Sequence, residues 1–365
     1  MLLRFYETGL NVQKNRNIAA IRLVNHQLTT TDYTTPHQII GHFGMIQAQD
    51  FNSAKWAIGA RLNGCTEKMI HEAFDKGEIL RTHVLRPTWH FVTPENIRWM
   101  LQLSANRIIQ SMKSRDRDLG LTSEIYAKCY RIIEKALEKD ISLTREELTN
   151  IMHNAGMEFD SSQMYHIIMR AEANGIVCSG ALREKIQTYA LLEKRVPATK
   201  PLTKEKSLSK LARIYFTGHG PAALQDFVWW SGLSVGEARQ GLESVQTEFI
   251  SETVDGQRYW MPDADFNPLS DGKSKVHLLP AFDEYIVGYK DRTAVITSEN
   301  HKKAISSNGV FRPVIIKAGK VIGLWKKASS GKKTITITPF EPIDNSTQQL
   351  IDLAAEKFGC FDGIS

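Results

Sequence analysis

Three stretches of this chain share one pattern, in which short amphipathic helical segments are followed by a pair of β-rich runs. That recurrence limits the fold to a tandem of small α+β units. In the first stretch Thr35-Pro36 opens a helix, and the spacing of Ile39, Ile40, Phe43 and Ile46 carries it to about Gln47. A second helix is expected over 53–61, with Ala54, Ala57 and Ile58 facing inward. A third follows the capping residue Thr66 and stops at Gly77. Runs 79–85 and 88–93 then read as strands hinged at Arg86-Pro87. Helix, helix, helix, hairpin is the order of a winged helix.

The order recurs from 122 to 196. There 125–137 is amphipathic, Thr144-Arg145-Glu146-Glu147 has a capping-box pattern, and 161–174 is closed by Gly175. Runs 176–178 and 187–192 supply its strands. It returns from 203 to 261 as helices over 208–216, 221–230 and 235–245, then runs 249–254 and 258–261 around Asp255-Gly256, a strong hairpin signal. The segment RVPATKP, starting at Arg195, reads as a linker. Runs 276–279, 285–288, 310–317, 320–325 and 334–338 are β-rich, and a closing helix is expected over 346–358. The expected fold is therefore α+β, with tandem winged-helix units and a small C-terminal β-rich module. Its parts are an N-terminal helix with the first winged helix (1–120), a second (121–197), a third (201–265), and the β-rich module with its closing helix (276–365).

Composition narrows the class. A hydrophobic fraction of 42% and a charged fraction of 24% exclude long disorder. No apolar run approaches the ~20 residues that cross a bilayer, and MLLRFYETGLNVQKNRN does not have the pattern of a signal peptide. Four cysteines without C-x-x-C spacing fit a reducing cytoplasm rather than a disulfide framework. The eleven histidines show no metal-site spacing, and no metal or other cofactor is implied. The net charge is +6, with 15 Lys/Arg against 10 Asp/Glu in 1–120 and 10 against 5 in 301–365. Such a balance is compatible with a polyanionic partner but does not demand one.

Six blocks in order resemble the AlkZ-like DNA glycosylases. They are GMIQAQDF (44–51), LRPTWHFV (85–92), YALLEKRVP (189–197), ARIYFTGHGPAALQDFVWWSGL (212–233), LLPAFDEYIVGYKDR (278–292) and VFRPVIIKAGKVIGLW (310–325). The likeness runs from about residue 18 to residue 358. It implies tandem winged helices around duplex DNA and a Gln-x-Gln or Gln-x-Asp motif that excises N-alkylated bases, including crosslinked nucleotides. Gln47 and Gln49 match the Gln-x-Gln form. Lys317-Ala318-Gly319 departs from the family, whose members often carry an acidic residue before the glycine.

The chemistry is consistent with those residue types. An N7- or N3-alkylated purine is already cationic and leaves readily, so hydrolysis needs a placed water more than a strong base. A glutamine carbonyl can accept a hydrogen bond from that water while its amide holds a phosphate or sugar oxygen. Two positions apart puts side chains on one side of extended chain but about 200° apart on a helix. The motif is therefore expected at a helix terminus, with the alternative that both glutamines merely cap and solvate a helix end.

Along the hairpin, Arg81, His83, Arg86 and His90 are candidate DNA contacts, whereas Trp89 and Phe91 are expected in the core. Lys326, Lys327 and Lys332 flank Ser329-Ser330-Gly331 as a possible phosphate clasp. Asp283 and Arg292 are further site candidates, set against a structural salt bridge or turn cap. No lysine stands out as a Schiff-base nucleophile, so a monofunctional enzyme is expected, acting as a monomer on alkylated double-stranded DNA and not on membranes. The rival reading is a non-enzymatic winged-helix protein such as a transcription regulator. Against it, the chain shows no ligand-sensor domain and no coiled-coil segment to pair half-sites.

Overall fold

The computed structural model describes residues 18–264, 275–328 and 334–363, which fall into two compact units. One comprises Thr35–Gln49 and Lys68–Ser207, and the other Met1–Thr34, Asp50–Glu67 and Leu208–Ser365. The fold is mixed, with many helices and small antiparallel sheets. No helix among the described residues is long and apolar enough to cross a membrane.

In the first unit, Thr35 caps the helix Pro36–Phe43 with a capping box that Gln38 completes, and Gly44 ends it at φ 76°. Strand β1 (Ile46–Gln47) follows. After the helix Glu67–Lys76 comes the hairpin of β2 (Leu80–His83) and β3 (Trp89–Val92), and the three strands lie in the order β1-β3-β2. Sequence reasoning carried the first helix to Gln47. The structure ends it at Phe43, because Gly44 takes a left-handed conformation and Ile46 pairs with Phe91 instead of continuing the helical face.

A 25-residue helix, Pro94–Asp118, was not expected from the sequence. Its buried Ile108 and Met112 pack with Met169 and Ala173 of the helix Ser161–Ala173. Between them run the helices Ser123–Lys139 and Arg145–Asn154, the latter capped by the expected Thr144–Glu147 box. Strands β4 (Leu143–Thr144), β5 (Val177–Ser179) and β6 (Thr188–Leu191) are arranged β4-β6-β5. The connectivity repeats that of the first sheet: a short strand after the first helix pairs with the last strand of the hairpin.

The same plan appears in the second unit. From Leu208 onward, the helix Lys204–His219 leads to the helices Leu224–Ser231 and Val235–Glu243. Strands β7 (Phe249–Val254) and β8 (Gln257–Pro262) follow. They turn at Asp255 (φ 51°) and Gly256 (φ 80°), as the hairpin signal predicts. A single bridge, Ala222 to Trp260, stands where the other sheets have their short first strand. Beyond it, β9 (Val276–Leu279), β10 (Val314–Lys317), β11 (Lys320–Lys327) and β12 (Ile335–Pro339) form a sheet ordered β12-β11-β10-β9.

The closing helix, Asn345–Asp362, carries Phe358 and Phe361 against Trp56 of the helix Phe51–Gly59. Gly59 allows this packing, since a Cβ there would lie 2.5 Å from the Phe361 ring. Run 285–288 is not a strand. It lies in the helix Glu284–Val287 and the Gly288 that caps it, because the Asp283 carboxylate caps the chain by accepting from Tyr285 N at 2.9 Å.

Two local features of this unit bear on its stability. Arg61 donates to both Asp283 oxygens at 2.8 Å, and also to the Ala57 and His26 carbonyls. Asp283→Ala strands that guanidinium in the interior and is expected to lower the unfolding free energy by about 3–5 kcal/mol. The turn between β10 and β11 holds Ala318 at φ 48° and Gly319 at φ 80°, and a methyl side chain is strained there. Ala318→Asn is expected to raise stability by about 0.5–1 kcal/mol. Both changes are read from urea midpoints at an unchanged m-value.

Candidate active site at the Gln47-Ala48-Gln49 strand

The glutamines lie in extended chain. Gln47 pairs with His90 across the β1–β3 ladder, and Ala48 N donates to Trp89 O at 2.7 Å, which prolongs the pairing by one residue. The two-residue spacing thus operates in extended backbone, not at the helix terminus expected from the sequence. Gln47 is buried and Gln49 exposed. The Gln47 carbonyl accepts from Arg86 Nη2 at 3.4 Å, and the Gln49 carbonyl accepts from Trp89 N at 3.4 Å.

Arg86 is aimed by its turn. Leu85 sits at φ 60°, an unusual conformation for a bulky residue, and is held by its own burial and by Ser104 Oγ, which accepts from Leu85 N at 3.0 Å. The half-buried Arg86 guanidinium then places Nη2 3.2 Å from His90 Nε2 as well as against Gln47. Burial, reinforced by the charge of Arg86, holds the His90 imidazole well below the ordinary histidine range. His90 is therefore neutral and accepts from Arg86 through Nε2. Thr88 Oγ1 lies 3.4 Å from the same Nε2.

The other hairpin candidates do not reach outward. Arg81 is 7% exposed; its Nε donates to Ala48 O at 3.0 Å, its Nη1 to Gln187, and its guanidinium lies 4.2 Å over the Trp89 ring. His83 is fully buried, with Nδ1 on the Glu172 carboxylate and Nε2 3.3 Å from the Tyr165 hydroxyl. Arg81, His83 and His90, expected as DNA contacts, thus turn into protein in this structure rather than outward. All four β2 residues are buried, and residues of the second repeat (Tyr165, Glu172, Ser179, Gln187) cover that sheet. A strand covered on both faces sends alternate side chains into protein on either side. Phe91 is in the core as expected, whereas Trp89 is half-buried between Arg81 and His83.

The remaining candidates lie in the other unit. Asp283 is the partner of Arg61 and a helix cap. Arg292 is buried, donating to Ile286 O at 2.9 Å and Lys290 O at 3.2 Å. Both make the structural contacts set out as the alternative, and the structure does not bring them to the glutamine motif; Asp291 is a turn cap, accepting from Thr293. Lys326 and Lys327 are exposed on β11, with Lys327 paired to Asp362, and Lys332 lies outside the described residues. Sequence reasoning missed Gln187, Glu172 and Tyr165. They come from positions 82 to 106 residues away from their partners and carry no motif of their own.

The pH dependence of stability follows from the buried imidazoles. Burial lowers His90, His219 and His277, the last to about 3. An unfolded chain takes up protons at these positions as pH falls through about 6.5, while the folded chain takes them up only at lower pH. Stability is therefore expected to fall below that pH, by at most about 1.4 kcal/mol per pH unit for each histidine. Urea unfolding between pH 7.5 and 5.5 measures the slope, and His90→Gln is expected to make it shallower.

The AlkZ-like family, described as DNA glycosylase AlkZ-like, matches this chain over residues 40–361, a span that contains the whole Gln47-Ala48-Gln49 site. The interstrand DNA cross-link repair glycosylase of Streptomyces sahachiroi is 22% identical over 363 residues, covering 96% of this chain and 97% of that protein. The solved structure of Streptomyces sahachiroi DNA glycosylase AlkZ has the same fold, with a TM-score of 0.80 at 20% identity over 95% of this chain and 96% of its own. A family match that spans most of the chain, motif included, decides the kinship: the protein belongs to the AlkZ-like family of DNA glycosylases.

Proposed function

We propose that the protein is a monofunctional DNA glycosylase that hydrolyses the N-glycosidic bond of alkylated purines in double-stranded DNA, acting as a monomer in the cytoplasm and nucleoid. The observation that carries this reading is the Gln-x-Gln pair in extended chain at a sheet edge, with each amide oriented by a donor. Gln49 is exposed, and a carbonyl oxygen has two lone pairs. One accepts from Trp89 N, and the second accepts a hydrogen bond from the attacking water. The Gln49 amide group can donate to a sugar or phosphate oxygen. Arg86 fixes the Gln47 carbonyl and adds a half-buried cation suited to a backbone phosphate.

In the reaction, water adds to the anomeric carbon as the C–N bond breaks. The bonding electrons leave with the base and neutralise its positive charge, and the water's extra proton passes to solvent. A neutral amide pair suffices, because the lesion supplies the leaving-group activation. The relative from Streptomyces sahachiroi is named for interstrand cross-link repair. Crosslinked purine nucleotides are cationic in the same way, so they belong to the proposed substrate range. Membership of a glycosylase family favours this reading over a transcription regulator.

The test is base release from duplexes carrying N7-methylguanine, N3-methyladenine or an N7-linked crosslink. Gln47→Ala and Gln49→Ala are each expected to slow release by about 100-fold or more, with folding and duplex affinity retained. Release by both variants at the parental rate would remove the motif from the chemistry. No release from any lesion, together with tight binding to one undamaged sequence, would favour a regulator.

A further inference from the structure

Strand β1 is an edge strand, and its ladder with β3 ends at Gln47. The carbonyls of Ala48 and Gln49 therefore need donors from outside the β1–β3 ladder. Arg81 supplies them from β2, on the far side of β3. Its Nε donates to Ala48 O at 3.0 Å, and its Nη2 lies 3.5 Å from Gln49 O. The same guanidinium lies over the ring of Trp89, whose backbone N–H holds the Gln49 carbonyl. Arg81 thus touches the motif twice, through the peptide groups on both sides of the Gln49 α-carbon and through the residue that orients its side chain.

Arg81 is itself held from the second repeat. Its Nη1 donates to Gln187, in the segment between β5 and β6, and its backbone N–H donates to Ser179 Oγ at 2.8 Å. We propose that Arg81, fixed by Gln187, is the positioning residue for Gln49, which makes the second repeat a requirement for chemistry. The inference rests on the glycosylase reading above. Its physical basis is the fork of the guanidinium, which serves two carbonyls and Gln187 at once, whereas a lysine ammonium on a flexible stem has no such planar geometry. Rotation of either peptide plane swings the Gln49 side chain, and a displacement near 1 Å is enough to cost about 100-fold in rate.

The experiment compares single-turnover release of N7-methylguanine at saturating enzyme with duplex affinity, for Gln187→Ala, Gln187→Glu, Arg81→Lys and Gln49→Ala. Gln187 is only half-buried, so its variants fold even if Arg81→Lys does not. Gln187→Ala is expected to slow release about tenfold, and Arg81→Lys up to about 100-fold, both at unchanged affinity. Gln187→Glu keeps an acceptor for Arg81 and is expected to restore the rate. An inactive Gln49→Ala beside a Gln187→Ala protein at the parental rate overturns the positioning role alone. Equal losses of rate and affinity in Gln187→Ala, or no rescue by Gln187→Glu, also overturn it. A fully active Gln49→Ala instead overturns the reading of the motif on which the inference stands.

Discussion

Two backbone pairs, Ile46 with Phe91 and Gln47 with His90, hold the glutamine motif out of the preceding helix. Without them the apolar spacing of Ile39, Ile40, Phe43 and Ile46 would continue the helix, and Gln47 and Gln49 would point in different directions. The pairing works because Gly44 stops the helix and the buried Ile46 completes the sheet face. Everything else at the site acts on this short strand: the Arg86 turn reaches one amide, the Trp89 backbone reaches the other, and Arg81 secures the carbonyls.

The buried carboxylate nearby, Glu172, is taken up by His83, and the neighbouring imidazole of His90 is held neutral by burial. The motif itself is uncharged. Two guanidinium groups flank it, Arg86 on the Gln47 carbonyl and Arg81 on the backbone carbonyls of Ala48 and Gln49. Of these, Arg86 is the one aimed by the strained Leu85 backbone.

Reuse of one connectivity explains how modest elements build such a site. In each repeat a short extended segment after the first helix pairs with the last hairpin strand: Ile46–Gln47, Leu143–Thr144, and Ala222 as a single bridge. In the second repeat this strand runs directly into the capping residue Thr144 of the next helix. In the first repeat it is followed by the glutamine motif. The position is a sheet edge with unspent backbone groups, which suits it either to a structural cap or to a functional segment.

The sequence by itself determined the helix–hairpin repetition, the capping boxes at Thr35 and Thr144, the Asp255-Gly256 turn and the Gln-x-Gln motif, because each depends on residues close together in the chain. It also carried the family likeness. Tertiary structure decided which of these features act. The Arg81 and His83 side chains look like a DNA-facing wing along the sequence, but both are consumed by Gln187 and Glu172 of the second repeat. Asp283 is open to a site role or a structural salt bridge along the sequence, and it is Arg61, 222 residues away, that pairs with it. The run 285–288 has β-rich composition, yet the Asp283 cap makes it helical. The physical reason is common to all of them: burial and pairing with residues distant in sequence override local pattern, and no local periodicity encodes which distant partner arrives.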